Sequence, residues 1–71
     1  MNAGITDVRS ALSRCGRKVA SATDGRTVRG ARDESINALV RAGVDPTMAT
    51  RMTLAMVRVG QRIGDVARGV A

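Results

Sequence analysis

Apolar residues recur at steps of three and four along most of this chain, a spacing that keeps them on one side of an α-helix turning roughly 100° per residue. Ile5, Val8, Leu12, Cys15, Val19 and Ala22 form the first row. With Thr6 or Asp7 placed to cap, it predicts a helix over 6–22. Met52, Met56, Val59, Ile63, Val66 and Val70 form the last row. Asp45-Pro46 opens that segment, because Asp accepts from the first free N–H groups and Pro suits a position that needs no donor. A long third helix over 46–69 follows.

Between them, Ile36, Leu39 and Val40 lie on one side of a shorter predicted helix over 33–42, with Asp33 and Glu34 in its first turn and Arg41 near its end. Gly43 ends it by adopting the left-handed conformation cheaply, and Val44 can fold back on the helix it follows. Residues 23–31 read as a basic loop: Asp24-Gly25 is a turn dipeptide, Gly30 is a breaker, and Arg26 and Arg29 are charged. A hairpin closed by Asp24-Gly25 is the other option, but its flanks are short and poorly alternating. The expected fold is one small all-α domain of three helices.

Composition sharpens this picture. Seventy-one residues without Phe, Tyr or Trp can build only a thin core. Self-assembly, or packing onto a larger assembly, is therefore the expected additional source of stability. Twelve basic residues against six acidic give +6. That balance favours a polyanionic partner such as nucleic acid, although eleven of the twelve are Arg, as a compositional coding bias would also give. With no His and one Cys there is no zinc cluster and no nucleophile paired with a base. The expectation is a protein that is not an enzyme and carries no cofactor or metal. The absence of a long apolar run predicts no membrane span, and a location in the cytoplasm of a host cell or within a virion.

One local constellation stands out. Ala42-Gly43-Val44-Asp45 leads into Pro46-Thr47-Met48-Ala49-Thr50-Arg51-Met52. Over about twenty residues, 35–54, it resembles the helix-turn-helix of lactose-repressor-type DNA-binding regulators. The resemblance implies that Thr47, Thr50 and Arg51 face the DNA major groove, where Arg can bond guanine through two donors. Leu39 stands where that family usually has a small residue. Asp33, Glu34 and Asp45 place negative charge where phosphates would approach.

Other surfaces add candidates. Arg14, Arg17 and Lys18 make one face of the first helix basic, and Arg51, Arg58 and Arg62 form a stripe on the third, suited to phosphate or to an acidic protein groove. Thr53, Val57, Gly60, Gly64 and Ala67 make a small-residue face with GxxxG spacing. Those glycines fit either against the chain's own helices or against another subunit. Met52, Met56, Val57, Gly60, Ile63 and Gly64 are thus the candidate protein interface. Two functions follow: a phage- or plasmid-type nucleic-acid-binding regulator acting through the helix-turn-helix, or a helical structural subunit of a virion or other assembly, docking through its last helix.

Overall fold

A computed structural model describes residues 3–69. Three helices fill it: α1 (Ala3–Ser21), α2 (Gly25–Arg41) and α3 (Pro46–Ala67). There is no strand among the described residues.

The α2–α3 junction forms as its residues dictate. Gly43 takes a left-handed φ of 100°. The Gly43 and Val44 amides then donate to the carbonyls of Val40 (3.0 Å) and Leu39 (2.9 Å), the two-bond cap that satisfies the end of a helix. Val44 packs back onto the core. One residue later, the Asp45 carboxylate accepts from Thr47 N and Met48 N at 3.0 and 3.3 Å, with Pro46 in the first turn.

Two expectations are corrected. The predicted basic loop at 23–31 is largely helix, since α2 begins at Gly25 and runs unbroken through Gly30. Asp24 caps it by accepting from Thr27 N at 2.7 Å. Val28, Ala31, Ser35 and Leu39 then continue one inward row, and their burial outweighs the cost of glycine in a helix, about 1 kcal/mol each. Asp33 and Glu34 consequently lie in mid-helix. In α1, likewise, Thr6 and Asp7 are exposed helical residues rather than caps, and Ile5 is exposed.

The second correction concerns which side of α3 faces inward. The row expected to pack is split: Met52 and Met56 are half-buried, but Val59, Ile63 and Val66 are 47%, 56% and 63% exposed. Val70 lies outside the described residues. The buried face carries Ala49, Thr53, Gly60 and Gly64 instead. The two rows stand roughly 100° apart, and the small-residue one is turned to the core, leaving Val59, Ile63 and Val66 at its edge. Small side chains win because they admit the backbone of α1 at close range.

The helices pack alongside one another for their whole length. Leu39 of α2 shares a cluster with Ala49 of α3 and Ala11 of α1, and two turns away Ala31, Met56 and Val57 share another with Cys15 and Val19. Between these layers, Ser35 Oγ and Thr53 Oγ1 are hydrogen-bonded at 2.9 Å, both side chains buried. The principal extents, 42 × 20 × 15 Å, suit helices aligned with the long axis at ordinary interaxial distances of ~8–10 Å. α1 and α3 run parallel, with α2 antiparallel to both.

Candidate docking and nucleic-acid surfaces

The inner face of α3 is built for close approach. A Cβ placed on Gly60 would lie 2.8 Å from the Gly16 carbonyl oxygen and 2.9 Å from Val19 Cβ; one on Gly64 would lie 2.6 Å from the Ala20 carbonyl oxygen. Gly16, opposite, has only 2.7 Å to Met56 Cε. The GxxxG spacing therefore serves the α1–α3 contact inside this chain. Of the six residues proposed for a protein interface, Gly60 and Gly64 are committed internally, and Met52, Met56 and Val57 are half-buried in the two core clusters. Ile63 alone is exposed.

What remains outside is a continuous apolar row. Met48 (48% exposed), Val59, Ile63 and Val66 line it, with half-buried Met52 and exposed Ala55 between them. At 1.5 Å per residue it runs for roughly 27 Å. The sequence showed most of this row as a seam that must pack against something and placed Met52 and Ile63 of it in the candidate protein interface. Position on the helix was legible; which of two competing rows would be used inside was not.

The basic candidates fall on separate faces. Lys18 is tied to Glu34 of α2 at 2.9 Å, which holds the Glu34 carboxyl below its ordinary range. Arg14 lines a shallow cleft between α1 and α2 with Asp7 and Arg41. Arg51, Arg58 and Arg62 belong to the outer side of α3, where Arg58 and Arg62 line a shallow depression with Val59 and Asp65. Arg17 is exposed on α1. None of Arg14, Arg17, Arg51, Arg58 and Arg62 forms an ion pair among the described residues.

The three residues suggested for base reading share the first turn and a half of α3. Thr47 and Arg51 are exposed, whereas the half-buried Thr50 donates its hydroxyl to the Pro46 carbonyl at 2.9 Å. Asp45 already occupies the N–H groups that a phosphate would use at this helix end. In DNA-reading helix-turn-helix pairs the helices meet at about 90–120°, which frees the second to enter the groove. Here α2 follows α3 lengthwise through Leu39–Ala49 and Ser35–Thr53.

Ser35 was not among the sequence candidates, and its hydroxyl is the polar centre of the fold. Cys15 lies close by, its thiol pushed up by burial, an effect Ser35 partly opposes. Among the described residues, no cluster of His, Cys, Asp or Glu is placed to hold a metal ion, and no helix is long and apolar enough to cross a membrane. No protein-family model, no characterised protein and no solved structure matches the chain.

Proposed function

We propose that this protein is a helical subunit of a larger assembly, such as a virion, which it joins through the outer face of α3. The observation that carries this reading is the row Met48, Val59, Ile63 and Val66, left in water by a helix whose buried face, roughly 100° around from it, already packs the fold. Contiguous exposed apolar surface of this kind marks interaction sites in soluble proteins, whereas scattered single residues do not. Co-fractionation from source cells tests it. Wild-type chain should travel with a large particle, and a Val59→Asp/Ile63→Asp variant that retains its helicity should travel free; equal distribution of the two would reject the reading.

A second reading, a small nucleic-acid-binding regulator, is supported by the charge of +6 and by Arg side chains such as Arg51, Arg58 and Arg62 that form no ion pair among the described residues. Binding through phosphate neutralisation is expected to be sequence-blind and to fall steeply between about 50 and 200 mM salt. Base reading through Arg51 predicts instead that Arg51→Ala lowers discrimination between sites by about 1–3 kcal/mol. Competition between a specific and a random duplex at both salt concentrations separates the two modes.

A further inference from the structure

We infer that the surface seated on α3 is an amphipathic helix of another protein, with an apolar stripe and acidic margins. This inference rests on the docking reading above and names the partner's chemistry. The row from Met48 to Val66 is straight, one side chain wide and spaced like a helix seam, so a second helix laid along it matches its apolar positions turn by turn.

Charge selects the occupant. On one margin stand Arg51, Arg58 and Arg62, all exposed. The other margin is supplied by α1, whose Gly16 and Ala20 touch Gly60 and Gly64: Arg9 lies two turns before Gly16 on the same side, and Arg17 lies next to it, both exposed. None of these five guanidinium groups forms an ion pair among the described residues. A second copy of this chain is a poor occupant. Antiparallel pairing about a two-fold axis sets the Arg51-Arg58-Arg62 margin against itself, and parallel pairing sets it against Arg9 and Arg17. A lipid surface is also disfavoured, because the row consists of short Val and Ile side chains and Met, and the chain has no aromatic residue to anchor in a headgroup layer. Nucleic acid would satisfy the arginines and leave the row uncovered. Glutamate or aspartate beside an apolar stripe satisfies both.

The test is a methyl NMR titration of the full chain with three synthetic helical peptides that share one Leu/Ala stripe and carry Glu, Lys or Ser margins. The expected result is binding of the Glu peptide, with shifts at the methyls of Met48, Val59, Ile63 and Val66. The Ser peptide should bind more weakly and the Lys peptide not at all. Ile63→Asp should abolish binding. Because that change could disturb the fold, Arg58→Glu/Arg62→Glu, at exposed positions, supplies a second arm: Glu-peptide affinity should drop about tenfold or more and Lys-peptide binding should appear. Shifts elsewhere, equal binding of all three peptides, or binding of none would overturn the inference. So would dimerisation through the same methyls or response only to anionic vesicles. Dimerisation leaves docking through α3 standing with a different occupant, and particle co-fractionation decides that reading separately.

Discussion

Ser35 and Thr53 show how far single side chains determine this fold. In a core made largely of Ala, Cys, Val and one Leu, their 2.9 Å hydrogen bond is the buried polar link between α2 and α3. Removing one partner strands the other without water. Ser35→Ala or Thr53→Val alone should therefore cost about 1–3 kcal/mol, whereas the double variant should cost clearly less than the sum. Urea denaturation of the four proteins checks this, and additive losses would mean that the hydroxyls act independently. At the surface, Lys18 holds the Glu34 carboxylate below its ordinary value. The sign follows: a carboxyl lowered in the folded state adds stability above its unfolded pKa and loses it as pH falls through the lowered one. In Lys18→Met the Glu34 titration midpoint, followed by carboxyl carbon NMR, should rise towards the ordinary value. No movement would show that the pair is open in solution.

At the scale of elements, the glycines separate function in packing from cost in propensity. Gly60→Ala and Gly64→Ala drive a Cβ against the carbonyl oxygens of Gly16 and Ala20, so each should destabilise by about 1–3 kcal/mol by forcing α1 and α3 apart. Gly30→Ala meets nothing within 4 Å in mid-helix and should stabilise by up to about 1 kcal/mol. Thermal melts of the three variants decide; a stabilised Gly60→Ala would mean that the close approach is absent. The same residues explain what could be read in advance. Asp45-Pro46 and Gly43 are local signals, because caps depend on adjacent backbone, and both helix ends formed where expected. The start of α2 was hidden because Gly25 and Gly30 look like breakers. The row Val28, Ala31, Ser35 and Leu39 was available to correct that, but two of its four members are small or polar. The inward face of α3 was not legible from hydrophobicity, since its fully buried residues are Ala, Thr and Gly while Val59, Ile63 and Val66 stay about half in water. Shape complementarity with the backbone of α1 decided it, and that is a property of two helices together.

At the scale of the whole molecule, the two faces of α3 differ in what they do for the fold. Its inner face, with Thr53, Gly60 and Gly64, holds the bundle together; its outer face, with Val59, Ile63 and Val66, stays about half in water and is the face proposed to meet a partner. Side chains already about half in water lose little transfer free energy when made polar, whereas truncating the fully buried Leu39 leaves a cavity costing about 2–5 kcal/mol. The most direct measurement is urea denaturation of Val59→Ser/Ile63→Ser/Val66→Ser beside wild type and Leu39→Ala, each at two protein concentrations. The triple variant should unfold within about 1 kcal/mol of wild type, at a midpoint independent of concentration, while Leu39→Ala should be severely weakened. A triple variant as unstable as Leu39→Ala would contradict this, because the outer row would then belong to the core.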